Sequence, residues 1–322
     1  KLKKDDEVIM PAITMSAVLY SILLIGAKPI FADIDNETMC VSVDSIKSKI
    51  TSKTKAIISV SLYGLPPDLT GIKSIIKKNK NKIYLIEDNA ECLLAKHNKK
   101  FVGTFGDLSM FSFQSSKMLT CGEGGILVSN SKKLLDNAKI YSNLGYYLRT
   151  TNYITNRKNL QKTSFKRHQL LGLNYRLSEL GAATVLGQLR NINKILNYRT
   201  KAGQGFAKII HKYDFVKTQD ITANNTHSYW AFALIFQNEK IYKLFRENFN
   251  KNGGDYFYAC WLPPYKEEFY TKLKKKKERC EVADEFQKKT IQLKTNYFNK
   301  IDLKKQIKAL EITLDYISNK KL

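Results

Sequence analysis

Residues 83–91 read Ile83-Tyr84-Leu85-Ile86-Glu87-Asp88-Asn89-Ala90-Glu91. A short apolar run closed by acids reads as a buried strand, Ile83–Glu87, running into Asp88. The same pattern recurs upstream at Glu7–Pro11, Pro29–Asp33 and Ala56–Ser61, with helical stretches at Ala12–Ile25 and Leu69–Lys78 between the runs. Short strands alternating with helices of that length predict an α/β fold built on a largely parallel sheet, with helices on both faces. In open α/β sheets ligands sit at the carboxyl ends of the strands, so the acids of residues 87–91 stand where a site is expected.

Downstream, Ser109–Phe113 and Gly125–Ser129 read as strands flanking a Ser/Lys/Gly-rich loop. From Leu177 to about Phe206 apolar residues recur at helical spacing, giving one long helix or two. Ser228–Phe236 is a further strand and Glu239–Asn250 a helix, stopped by Asn252-Gly253-Gly254. At 322 residues the chain has room for about two domains. The expected division is a large domain over 1–200 and a smaller α+β domain over 201–322.

The formal charge of +25 raises nucleic-acid binding as one reading. Against it, the basic residues are mostly lysine interspersed with Asn and Ile, run from Lys1 to Lys321, and form no recognised nucleic-acid-binding module. The run Lys274-Lys275-Lys276-Lys277 reads as a solvated face. Five cysteines without a CxxC pair give neither a disulfide framework nor a zinc site, and a reducing cytoplasm is the expected compartment. No apolar run approaches the ~18–20 residues of a membrane span. His97, His168, His211 and His227 lack metal-ligand spacing, so no metal is expected.

The loop Ser112-Phe113-Gln114-Ser115-Ser116-Lys117, followed by Gly122-Glu123-Gly124-Gly125, offers hydroxyls, one lysine and a flexible turn. An acid at a strand end, a hydroxyl and a lysine in a Gly-rich bend are what pyridoxal phosphate needs. The amine forms a Schiff base, the acid keeps the ring nitrogen protonated, and the hydroxyl helps to hold the phosphate.

The chain also resembles the sugar aminotransferases named after DegT, DnrJ and StrS, of the aspartate-aminotransferase-like fold type I. The resemblance rests on Asp6-Glu7-Val8-Ile9-Met10-Pro11, Gly26 to Asp35, Leu62-Tyr63-Gly64, Glu87 to Glu91, Gly106-Asp107, Phe111-Ser112-Phe113, Lys117, Gly122 to Gly125 and Gly172 to Glu179. It implies a mainly parallel sheet of the seven-stranded type, pyridoxal 5'-phosphate as cofactor, Lys117 as the Schiff-base lysine, Asp88 on the pyridine nitrogen and Ser112 on the phosphate. It matches Asn174 to an asparagine that reaches the neighbouring subunit's cofactor, so a homodimer with a shared active site is expected. The family's phosphate-cradling Gly-Thr/Ser-Ala turn lies ahead of Asp6, and a segment ahead of Lys1 is expected to carry it.

Three positions depart from the family. Glu91 stands where Gln or His is usual near the cofactor's 3-oxygen, and a carboxylate there repels a phenolate unless one of them holds a proton. Met15 takes the place of an aromatic ring that stacks on the cofactor. Tyr258 to Tyr265 replaces an Arg-Pro…Pro-Leu-His stretch near the sugar site; Tyr258, Trp261 and Tyr265 are its candidate substrate-binding residues, with a packed hinge as the alternative. His168 matches a position beside the active-site loop and is expected to make a structural hydrogen bond.

The activity implied is transfer of an amino group from glutamate to a nucleotide-linked 4-keto-6-deoxyhexose. The branch that dehydrates sugars at C3 has His where this chain has Lys117. Amination at C3, or a catalytically silent regulatory relative of the same fold, is the alternative.

Overall fold

The computed structural model describes residues 2–146, 161–273 and 278–320. The lysine run 274–277 lies outside them. The main sheet has six strands: β1 (Glu7–Pro11), β2 (Lys28–Ala32), β3 (Thr54–Val60), β4 (Tyr84–Asp88), β5 (Leu108–Ser112) and β6 (Gly125–Val128). Their order is β2-β1-β3-β4-β5-β6; the first five are parallel and β6 returns antiparallel to β5. The sheet is mainly parallel, as the resemblance implies, and has six strands among the described residues where seven were expected.

Alternation along each strand explains why both faces are covered. Val8, Met10, Ile58 and Val60 point into one apolar cluster, joined by Val18, Leu19 and Ile22 of the helix Ala17–Leu24. Ile9, Ile57 and Leu85 point into another, joined by Ile46 and Ile72 of the helices Val43–Lys49 and Leu69–Lys78. Successive strand side chains face opposite ways, so a run apolar at every position must be packed on both sides.

The helix expected over Ala12–Ile25 is shorter at its start. The Ala12 amide still bonds to the Ala32 carbonyl at 2.8 Å, which carries the ladder one residue past β1, and after a bend the helix begins at Ala17. The long apolar stretch after Leu177 is two helices, Glu179–Leu189 and Ile192–Ile210.

A second sheet, antiparallel, runs Phe257–Ala259, Thr290–Lys294, Ala231–Phe236, Val216–Lys217. Its strand Ala231–Phe236 is buried throughout. Phe232, Leu234 and Phe236 pack with residues of the helices Ile192–Ile210, Glu239–Asn248 and Lys300–Ser318. Ala231, Ala233 and Ile235 join the cluster that covers the main sheet. That contact brings residues 228–230 to the carboxyl edge of β3 and β4. Among the described residues, no helix is long and apolar enough to cross a membrane.

Candidate active site

Three acids leave the end of β4, and their surroundings separate their roles. Glu87 accepts from the amides of Gly103 (2.7 Å), Phe105 (2.8 Å) and Gly106 (2.6 Å) and from the Ser109 hydroxyl (2.9 Å). Such a carboxylate is fully engaged in holding the 103–106 turn against the sheet. Asp88 and Glu91 are buried as well but less engaged. Among the described residues, the one hydrogen bond to the Asp88 carboxylate comes from the Ala90 amide at 3.0 Å.

Glu91 accepts the Tyr63 amide at 2.9 Å through Oε2. Its Oε1 stands 3.7 Å from Lys117 Nζ. Burial pushes the Glu91 carboxyl up to about 7, against the lowering effects of the Lys117 ammonium and the Tyr63 amide; the charge of Asp88 adds to the rise. Burial raises Asp88 too, with the Ala90 amide and Lys117 opposing it. Both acids therefore sit where their charge depends on the same cation.

Lys117 is held by a tight loop. Ser112 Oγ accepts the Gln114 amide, and the Gln114 carbonyl accepts the Lys117 amide at 2.9 Å. The loop's ends are tied where Phe113 bonds to Gly124 and Cys121 to Phe113. At Gly124 the chain passes close to Cys121 and Leu177: a Cβ would lie 2.8 Å from Cys121 Sγ and 2.9 Å from Leu177 Cδ1. The Lys117 side chain is 15% exposed. Ala90, Glu91, Ser112 and Lys117 line one small pocket. Ala90 and Ser112 also border a groove of about 750 Å³ that runs along β5 and β6 to Tyr175 and Arg176.

The other sequence candidates are more dispersed. Met15 follows β1 and is exposed. Asn174 is exposed and pairs with Asn143 in a backbone bridge. His168 Nδ1 bonds to the Leu144 carbonyl at 2.7 Å. Tyr258 is exposed on its strand. Trp261 packs on Tyr63 and Trp230, with ring centroids 5.8 and 6.4 Å away.

Tyr265 corrects the expectation of a substrate-facing ring. It is 3% exposed, packed edge-on to Phe31, and its hydroxyl donates to Asp284 at 2.6 Å. A ring so enclosed has no face left for a sugar.

Two residues given no role from the sequence belong to the site. Trp230 lies over Lys117, 4.4 Å from Nζ to the ring centroid. Tyr63 supplies the amide for Glu91 from a backbone with φ of 59°. Leu62-Tyr63-Gly64 was among the stretches of resemblance, and Trp230 is one of two tryptophans in the chain; neither fact specifies a contact.

Residues 1–307 match the DegT/DnrJ/EryC1/StrS aminotransferase family. A GDP-perosamine synthase of Escherichia coli O157:H7 is 35% identical over 73% of this chain and 59% of that protein. One from Vibrio cholerae is 34% identical over 82% of this chain and 69% of that protein. The chain thus spans about three fifths to two thirds of the length of these relatives. Among solved structures, an aminotransferase from Psychrobacter cryohalolentis superposes with a TM-score of 0.88 at 24% identity, over 98% of this chain and 82% of that one. The E. coli GDP-4-keto-6-deoxy-D-mannose-3-dehydratase with bound hydrated PLP gives 0.85 at 27% identity, over 97% and 80%. The match along nearly the whole chain, on a fold shared with these two solved structures, makes this protein a member of the DegT/DnrJ/EryC1/StrS aminotransferase family.

Proposed function

We propose that the chain is a pyridoxal-phosphate-dependent aminotransferase that turns a nucleotide-linked 4-keto-6-deoxyhexose into the 4-amino-4,6-dideoxy sugar, with glutamate as donor. The observation that carries this is the amine of Lys117, largely withdrawn from solvent beside the buried Glu91 carboxylate at the strand edge that also holds Asp88. The donor set fits the cofactor: an amine for its aldehyde, an acid with one hydrogen bond for its ring nitrogen, and the Ser112 hydroxyl at the end of β5 for its phosphate. When bound, pyridoxal phosphate supplies a carbonyl that an amine can attack and a ring that accepts electrons as protons move.

The protein's own part is nucleophile, counter-charge and proton carrier. Lys117 Nζ would serve as the nucleophile in its uncharged form and would carry the donor's α-proton, as base and then acid. Asp88 is the ring nitrogen's counter-charge, effective because it is buried. Glu91, beside Lys117, would be the residue near the cofactor's 3-oxygen, and Met15 would be the candidate to pack on its ring. Trp261 and Tyr258 are the sugar-side candidates. Residues 1–200 form the cofactor-binding domain and 201–322 the smaller one, joined by the helix Ile192–Ile210. The excess positive charge favours a substrate bearing a pyrophosphate.

The working unit is a homodimer, with Asn174 reaching the neighbouring site. This is supported by Leu171, Tyr175, Leu180 and Leu186, large apolar side chains all more than 60% exposed between residues 171 and 186; such exposure is what contact with another chain would cover.

The test is Lys117→Ala. The unsubstituted protein is expected to turn yellow with pyridoxal phosphate, to lose that colour with glutamate, and to aminate one member of a panel of nucleotide-linked keto sugars. The variant should fold, dimerise and do none of these. Transamination by the variant at the normal rate removes Lys117 from the mechanism. A wild-type protein whose colour glutamate leaves untouched is instead the silent relative.

A further inference from the structure

Trp230 grips the lysine loop at two points. Its indole face lies 4.4 Å from Lys117 Nζ, and its Nε1–H donates to the Ser116 carbonyl at 3.0 Å. One side chain therefore contacts the amine and the peptide from which that amine is aimed.

The seat of Trp230 is itself built. Its carbonyl accepts from Arg199 Nη1 at 2.9 Å, and the preceding carbonyl, of Tyr229, accepts the Thr295 hydroxyl at 2.5 Å. Arg199 is 5% exposed, and the same Nη1 also meets Thr295 Oγ1 at 3.1 Å, so a buried cation and a hydroxyl converge on this stretch of backbone. Tyr229 has a φ of +52°, a conformation that a residue other than glycine keeps when its surroundings over-determine it.

The turn on the other side of the amine is pressed against this seat. A Cβ on Gly64 would lie 2.7 Å from the Tyr229 nitrogen and 3.0 Å from that of Trp230. The residue before Gly64 is Tyr63, whose amide holds Glu91. Glu91 and Trp230, the anionic and aromatic neighbours of Lys117, are thus set by two backbones in direct contact.

We propose that Trp230 is a positioning residue for Lys117: its ring face holds the ammonium by cation–π attraction opposite Glu91, and its N–H fixes the Ser116–Lys117 peptide. The ring quadrupole attracts a cation at this distance, and more strongly where water is excluded. The ring holds the side chain while it is charged, and the N–H holds the Ser116–Lys117 peptide whether Nζ is charged or free, so the orientation of the amine is settled before the bond to a carbonyl forms. The functional consequence rests on Lys117 being the amine that captures the cofactor; the contact itself does not.

Two measurements test it. The chain has two tryptophans, so Trp261→Phe leaves Trp230 as the single indole emitter. In that background, without cofactor, Lys117→Met is expected to shift or brighten the emission. Superimposable spectra and quenching curves overturn the contact.

The second measurement is the rate at which pyridoxal phosphate is captured, trapped by borohydride and located by peptide mass at residue 117. Trp230→Leu is expected to slow capture about tenfold, with Trp230→Phe intermediate because it keeps a ring face and loses the N–H. Capture by Trp230→Leu at the wild-type rate overturns the proposal. So does an equal slowing in both variants that tracks an equal loss of Tm, since that marks a structural role alone. If the wild-type protein captures nothing at Lys117, the proposed function fails, and the emission experiment still decides the contact.

Discussion

Glu91 Oε1 stands 3.7 Å from Lys117 Nζ, with the two side chains 5% and 15% exposed. That pair lies at the end of a strand whose neighbouring acid, Asp88, is also buried. Two neighbouring carboxylates withdrawn from water cannot both be charged at low cost, so the protonation of Glu91 is linked to that of Asp88.

The linkage has a sign. Burial lifts Glu91 from its ordinary 4.5 to about 7, so the folded protein binds this proton more tightly than the unfolded chain does. Its contribution to stability is full below about 4.5 and is lost as pH rises through about 7. Urea unfolding at pH 5, 6, 7 and 8 should show the wild-type protein losing more stability with rising pH than Glu91→Gln, by up to ~1.4 kcal/mol per unit. Parallel curves for the two proteins overturn the placement of that proton.

Asp88→Asn keeps the shape of the acid and removes its charge. With the site groups otherwise in place, the variant should still bind pyridoxal phosphate, and turnover should fall by roughly 10²–10³-fold. Absorbance of the bound cofactor and single-turnover amination measure the two quantities separately. Unchanged turnover takes Asp88 out of the chemistry.

Glu87 has the opposite standing. Three amides and a hydroxyl converge on it, and an amide side chain would turn one of those contacts into donor against donor. Glu87→Gln should therefore cost about 2–3 kcal/mol, seen as a lower urea midpoint. The residual activity per folded molecule should stay near normal. A loss of turnover with no loss of stability would place Glu87 in the site after all.

Much of this was readable from local pattern. Apolar runs gave away the strands because both faces of a parallel sheet are packed, and acids after Ile86 marked the sheet's functional edge. Loop chemistry singled out Ser112 and Lys117, which line one pocket with Glu91. Trp230 was not readable: a tryptophan ahead of a buried strand looks like core. Its contact with Lys117 exists because the second sheet packs on the first. Tyr265 misled for the converse reason. The stretch Tyr258 to Tyr265 leaves a substrate-facing ring and a packed hinge both open, and Phe31 and Asp284, distant in sequence, are what enclose Tyr265.

That enclosure separates two tyrosines by experiment. Tyr265→Phe removes the hydroxyl that bonds to Asp284 and should cost about 1–2 kcal/mol of stability while leaving KM for the nucleotide sugar unchanged. Tyr258→Ala, on an exposed side chain, should leave Tm in place and raise that KM. If Tyr265→Phe raises KM with no change in Tm, the buried reading of Tyr265 is wrong.

Gly64 offers the sharpest probe of the contact between the two halves of the site. Its φ is +110°, and a Cβ there would meet the Tyr229 nitrogen at 2.7 Å and Ser228 Oγ at 2.8 Å. Gly253 also has a positive φ, +87°, but a Cβ there meets nothing within 4 Å. Gly253→Ala thus isolates backbone strain, at about 1 kcal/mol. Gly64→Ala adds overpacking against a backbone that Arg199 and Thr295 hold in place, and should cost a further ~1–3 kcal/mol. Because the displaced turn carries the Tyr63 amide, cofactor capture should also slow in Gly64→Ala and stay normal in Gly253→Ala. Equal losses of stability in the two variants, measured by urea midpoint, would mean that the turn at 62–64 and the strand entry at 228–230 do not press on each other.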